Sequence, residues 1–438
     1  MGLFTATSIV VANMVGAGIF TASGIISGFL PGPAWVLACW VLGGMIAIAG
    51  ALCYAELATR MPDEGGEYLY LSRLYHPVLG FLTGWTSLVV GFTAAISASA
   101  MGFAEYIFAG LNGRFESLDP ALFTAMKKGS AVTVILIFTA LHYFGLKKGG
   151  KVQNFLTVIK ILIVGGLAVT GIALSGGSGW VPGGGEAEGG WLGIGTAMML
   201  VMFSYSGWNA TSYVAGEVRN PRRTLPVSLA LGTGIVIVLY LLVNIFIFRS
   251  LPFGEVQGTI AIVEKASVSA FGEWMGRGLG IMVGIGLLSS LSAYVLIGPR
   301  VYYAMARDRL FFPFAARVHP RHGVPGRSIL IQGGLAAALV IIGTFEQLLV
   351  YMGFALGIFP WLAVAGLFIA RRRSVGEEGV VKVPGYPFLP LFFLAATLVL
   401  MIVAFINRPM ESSAAIVTVA AGIPAYYIWI KAVRRPTS

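Results

Sequence analysis

The chain has 438 residues, 57% of them hydrophobic and only 11% charged. A water-soluble globular chain carries about 25% charged residues, so an ordinary soluble domain is excluded. The formal net charge is +11. The basic residues sit in short stretches between apolar runs, which fits membrane orientation signals and not a nucleic-acid surface.

The apolar runs are about 20 residues long, enough to cross a bilayer as helices. They are too continuous for barrel strands, which alternate over about 10 residues. About twelve spans are predicted, at 6–29, 33–59, 78–108, 130–145, 152–174, 192–215, 225–248, 277–306, 328–345, 347–370, 388–406 and 413–431. The first run shows no basic leader or small-residue cleavage site before Pro31, so it reads as a retained span. With the N-terminus placed in the cytoplasm, Lys and Arg favour the inner loops by about three to one. The expectation is a multi-pass protein of the plasma or inner membrane with both termini cytoplasmic. Cys39 and Cys53 are about 21 Å apart along the second span. They cannot bridge each other and read as packing residues. No metal-ligand spacing occurs, no cofactor is expected, and no acids or histidines converge within spans as an enzyme would need.

The first run contains VANMVGAGIF (11–20). Two glycines flanking a small residue at mid-span allow close helix packing or a broken helix. The sixth run decides for the break: FSYSGWN (203–209) is a polar, glycine-containing interruption, followed by Thr211 and Ser212. Interrupted spans at corresponding places in two halves point to an inverted-repeat transporter with its site near the midplane. Unwinding frees N–H groups at one half-helix start, which attract an anion, and carbonyls at the other half-helix end, which attract a cation. An amino acid carries both charges on one carbon.

Four stretches now carry a resemblance: VGAGIF in the first span, CYAELATRMPDEGGEYLYLSRLYHPVLGFLTGW across the second and its loop, FSYSGWNATSYVAGEVRNPRRTLP from the sixth, and PRVYYAMARDRLFFP after the eighth. The chain resembles amino-acid transporters of the amino acid–polyamine–organocation (APC) superfamily, in particular bacterial relatives of the L-type transporters. The resemblance implies an all-α LeuT-like fold with helices 1 and 6 discontinuous. Its two inverted five-helix repeats would span 1–174 and 192–370, joined by a Gly-rich outer linker at 175–191. Residues 371–438 would add two helices and a cytoplasmic tail. It implies that the N–H groups of Gly16, Ala17 and Gly18 take a substrate carboxylate. The carbonyls of Asn13, Met14, Phe203, Ser204 and Ser206 would take the amino group, beside Gly207, and Phe203 would form an outer lid. Many relatives carry serine where Ala17 stands. Mammalian relatives pair with a heavy chain through a cysteine in the loop corresponding to 109–129. That loop has no cysteine here, so no disulfide-linked heavy chain is expected.

Lys160 lies inside the fifth span, about 13 Å beyond Lys151. A lysine there can snorkel to the interface. Otherwise a charge in that position costs at least about 2.5–3.5 kcal/mol and faces a partner in the bundle interior. The resemblance implies that its ammonium replaces a sodium ion, bonding first-helix carbonyls near Gly16, with Ser289, Ser290 or Ser292 of the eighth span as a second contact. Sodium independence follows, and Lys160 becomes a candidate for proton coupling.

Glu56, Glu64 and Glu67 flank the PDEGGEYLY loop and read as gate or loop-folding residues. Glu105 reads as an interface anchor, His142 as structural, and Arg307 and Asp308 as gate or topology elements. The side chains near the breaks include no acid, so a neutral amino acid is favoured, with alanine, serine and threonine first and larger ones after. Exchange is the leading mode. Proton-coupled symport and transport of cationic amino acids or polyamines are the alternatives. A channel or sensor would need a continuous polar pore face, and the polar interruptions are local.

Overall fold

The computed structural model describes residues 1–111, 119–144, 146–175, 190–321, 323–343, 345–407 and 409–434, and within these every regular element is helical. The chain-order elements are α1 (Leu3–Met14), α2 (Ala17–Ser27), α3 (Pro33–Arg60), α4 (Glu67–Leu74), α5 (Pro77–Thr86), α6 (Phe92–Gly110), α7 (Pro120–Phe144), α8 (Leu146–Leu174) and α9 (Gly190–Tyr205). They continue with α10 (Pro221–Ser250), α11 (Phe253–Val256), α12 (Ile262–Phe271), α13 (Glu273–Arg307), α14 (Gly326–Ile342), α15 (Phe345–Arg372), α16 (Phe388–Asn407) and α17 (Pro409–Arg434). A π-helical turn at Ser87–Gly91 joins α5 to α6, and a 3₁₀ segment at Ala210–Glu217 follows α9.

Each of the twelve predicted segments overlaps helix among the described residues, the sixth interrupted by turn at 206–209. Nine helices among the described residues are long and apolar enough to cross a membrane. The helix α14, with 17 residues, is shorter than that. Hydropathy gave no sign of α4, in the connection read as a loop, or of α11 and α12 between the seventh and eighth segments. These pieces are short or only weakly apolar. The Gly-rich linker, apart from its ends, lies outside the described residues, as do the middle of the third-to-fourth connection and the side chains of Lys147, Lys148 and Lys151.

Burial orders the helices. The most apolar window of Leu3–Ser27 is 94% buried, whereas that of Ser412–Lys431 is 17% buried. The broken first span is therefore the axis of the bundle and α17 lies at its rim. Rim helices present bare apolar side chains, such as Leu136, Leu162, Phe388 and Ile428, an arrangement stable only where lipid covers them. Around the axis, α13 packs along α6, and α10 packs against both α1 and α3.

The first span breaks because Val15 (φ −74°, ψ 80°) and Gly16 (φ −116°, ψ −159°) leave helical geometry between α1 and α2. The sixth breaks after Tyr205, where Gly207 takes φ +98°, a conformation that glycine adopts without Cβ strain. The two breaks lie against each other. A Cβ on Gly18 would sit 2.7 Å from the Ser204 backbone, and one on Gly207 would sit 2.9 Å from the Asn13 backbone. Only glycines permit this double approach. A Cβ on Gly16 would meet nothing closer than 3.6 Å, so close packing does not require a glycine there.

Candidate functional site

At the end of α1, helix geometry leaves the last carbonyls without intrahelical donors. Each has a partner from elsewhere. The Lys160 ammonium, fully buried, donates to Val15 O at 2.7 Å and lies 3.4 Å from Ala12 O. Tyr294 donates its hydroxyl proton to Asn13 O at 2.6 Å. The Tyr240 hydroxyl lies 2.5 Å from Met14 O and 2.8 Å from Ser204 O, and Gly16 N donates to Met14 O at 2.8 Å. The single proton of Tyr240 cannot satisfy two carbonyls at once. The ends of α1 and α9 thus converge on one hydroxyl with acceptor capacity to spare. Across the break, α2 starts at Ala17 with no side-chain cap, so its first N–H groups have no intrahelical acceptor and carry the positive end of the helix dipole.

Between these ends is a narrow cleft of about 20 Å³, lined by Gly16, Ala17, Gly18, Ser99, Phe203 and Ser206, with room for little more than a water. Tyr294 and Ser206 also line a neighbouring chamber of about 90 Å³, which runs past Gly207 and Trp208 to Glu67 on α4.

The structure therefore brings Asn13, Met14, Gly16, Ala17, Gly18, Phe203, Ser204, Ser206 and Gly207 to one place. It distinguishes among the three eighth-span serines. Ser290 accepts from Lys160 at 2.7 Å and donates to Val15 O at 2.7 Å. Ser289 faces Gln153 and Thr157 instead, and Ser292 faces His142 at 2.9 Å. Consecutive serines on a helix point about 100° apart, so only one meets the ammonium. Among the described residues no carboxylate pairs with Lys160. Carbonyls and a hydroxyl hold the charge, as they would hold a metal cation of group one.

The acidic residues separate. Glu56 is fully buried and gripped by Arg60, by both arms of Arg371 (2.6 and 2.9 Å) and by Val383 N. It fastens α3 to α15 and the chain before α16, away from the cleft. Glu105 pairs with Lys127 at 2.7 Å, and Asp308 accepts from Tyr68 at 2.6 Å. Glu67 accepts from Tyr54 at 2.7 Å and from Asn209 at 2.6 Å, and burial pushes its carboxyl up to about 7. Tyr240 and Tyr294 were missed in the sequence. The available signal was a tyrosine at mid-span, whose hydroxyl must find a partner when buried.

Two broken spans thus bring carbonyl ends, from α1 and α9, and an N–H end, from α2, to one place among apolar helices, one kind of partner for each charge of a small zwitterion. Comparison with known proteins agrees. A family model described as amino acid permease matches residues 1–428, and the chain belongs to that family of the APC superfamily. It is 29% identical over 434 residues to the serine/threonine exchanger SteT of Bacillus subtilis, covering 98% of this chain and 96% of that one. It is 26% identical over 438 residues to the human b(0,+)-type amino acid transporter 1 (98% and 88% covered). With the human cystine/glutamate transporter it shares 25% over 445 residues (98% and 84% covered). The chain is a membrane transporter of amino acids and not an enzyme.

Proposed function

We propose that the chain exchanges neutral L-amino acids, small ones first, by sodium-independent alternating access. The carrying observation is the Lys160 ammonium seated on Val15 O and Ser290 Oγ. It fills with a fixed protein charge the place where a coupling cation would gain most from the carbonyl end of α1. The substrate carboxylate would lie on the N–H groups of Gly16, Ala17 and Gly18. Its ammonium would compete with the hydroxyls of Tyr240 and Tyr294 for the carbonyls of Met14, Ser204 and Asn13, and Phe203 would close the cleft. The serine/threonine exchange named for the Bacillus relative supports a small substrate. Twelve spans in two inverted five-helix repeats, with both termini cytoplasmic, complete the reading.

Substitution tests it. Gly16→Val places a branched side chain where the carboxylate would lie, at a position where the neighbouring atoms leave room for a Cβ. The variant is expected to elute as a folded monodisperse protein and to lose labelled serine uptake in liposomes. Uptake at the wild-type rate would remove the broken helix from the substrate site.

A further inference from the structure

The chamber beside the cleft ends in a carboxylate that the transport reading does not use. Glu67 opens α4, in the connection between α3 and α5, yet its side chain is buried and lines the same chamber as Gly207 and Trp208. Asn209 donates to its Oε1 at 2.6 Å, and Tyr54 donates to the same oxygen at 2.7 Å. Asn209 is the last residue of the unwound stretch that starts at Ser206. A second tie binds the same two segments, since Gly65 N donates to Tyr213 O at 3.1 Å. Gly66 takes φ +54°, and a Cβ there would sit 2.7 Å from the Tyr213 ring. The start of α4 is thus seated on the chain that follows the sixth-span break.

We infer that Glu67 is a positioning residue of the transport site: its carboxylate, held against Asn209, fixes the unwound stretch Ser206–Asn209, and its gain or loss of a proton sets how firmly that stretch is held. The inference rests on the reading that this stretch forms part of the substrate site. Its electrostatics are simple. The titratable groups facing Glu67 are Tyr54 from α3, Tyr70 on α4 itself and Tyr213 from the 3₁₀ segment. Of the groups on the neighbouring elements, Arg373, just past the end of α15, reaches α4 at its far end, at Leu74 O, and His76 caps its own helix, α5. Arg73 pairs with Asp63, and Asp308 engages Tyr68. No cation pairs with Glu67 among the described residues. Burial raises the carboxyl to about 7, inside the range a cell visits. A hydrogen bond to an ionised acceptor is about twice as strong as one to a neutral acceptor. The charged form therefore grips Asn209 and the neutral form loosens it.

The test compares wild type, Glu67→Gln and Asn209→Ala in liposomes preloaded with serine, at equal pH on both faces, from about 5.5 to about 8.5, bracketing the ionisation. The wild-type KM for serine is expected to rise about fivefold as pH falls through 7, with a smaller change in maximal rate. Glu67→Gln should show the raised KM at every pH, and Asn209→Ala should lose the pH dependence. A second readout needs no substrate. Trp208 lies on the stretch itself, with its ring 4.8 Å from that of Tyr54. Its fluorescence, isolated by subtracting a Trp208→Phe protein, should titrate near 7 in wild type and stay flat in Glu67→Gln. A Glu67→Gln protein with the wild-type pH profile, or with an unchanged Trp208 titration, overturns the inference and leaves exchange intact. A wild type that exchanges no amino acid at any pH fails the transport reading instead, and the Trp208 titration then decides the role of Glu67.

Discussion

Single atoms decide most of the chemistry at this site. The Tyr240 hydroxyl stands between two carbonyls that each need a donor. Tyr240→Phe removes the only proton they share, and a lost hydrogen bond of this kind is worth about 0.5–1.5 kcal/mol. The variant should stay folded and lower the serine KM by about three- to tenfold, because the substrate ammonium no longer competes with the hydroxyl for these carbonyls. An unchanged KM would separate Tyr240 from substrate binding. Lys160→Ala leaves Val15 O with the Ser290 hydroxyl as its remaining donor; the lost hydrogen bonds to a charged donor are worth about 1.5–3 kcal/mol each, and the variant should abolish exchange. Lysine was legible in the sequence because an intramembrane charge is too costly to be idle. Its serine was not, because three hydroxyls in four positions differ only in helix azimuth. The sequence marks Glu67 as a gate or loop-folding residue, and nothing local announces that Asn209, 142 positions on, reaches it. Its ionisation also sets a stability trend. The folded state holds the proton up to about 7, above the ordinary 4.5, so it binds more protons than the unfolded state between these values. Stability from this group is full below about 4.5 and is lost as pH rises through 7. The charged form pays desolvation even as it grips Asn209. Thermal unfolding in detergent should show this fall in wild type and a flatter profile in Glu67→Gln.

At the scale of elements, the breaks were legible and their contact was not. GAG and SYSG mark positions where a helix gives way, since glycine weakens it by about 1 kcal/mol. That Gly18 would rest on Ser204 and Gly207 on Asn13 is a long-range fact with no local trace. Gly207→Ala combines a φ of +98° with a Cβ placed 2.9 Å from the Asn13 backbone. It should lower the unfolding temperature more than Gly16→Ala, whose Cβ finds room. The staple of α3 to α15 makes a further case. Arg371→Ala would leave Glu56 buried with Arg60 as its remaining guanidinium, losing hydrogen bonds between charged groups worth about 1.5–3 kcal/mol. Its melting point should drop sharply while the serine KM of the surviving folded fraction stays near wild type, because Glu56 lies away from the cleft.

The whole molecule was the most legible level and its sidedness the least directly visible. Composition demanded lipid, and the burial gradient from 94% in the first span to 11% at α7 and 17% at α17 shows which helices meet it. The orientation proposed, with both termini cytoplasmic, rests on the Lys and Arg bias alone. In a background with Cys39 and Cys53 replaced, Ile260→Cys, half exposed before α12, should react with a membrane-impermeant maleimide on intact cells. Ser374→Cys, exposed after α15, should react only after permeabilisation. The reverse pattern would invert the topology while leaving the site unchanged.

The central claim is that Lys160 stands fixed where a coupling cation would sit, so that one amino acid leaves as another enters. The most direct test is uptake of labelled serine by purified protein in liposomes, preloaded with unlabelled serine or empty, with sodium or with choline in its place. Uptake is expected into preloaded vesicles alone, at the same rate in both salts. Uptake that requires sodium, or that fills empty vesicles as fast as loaded ones, would contradict it.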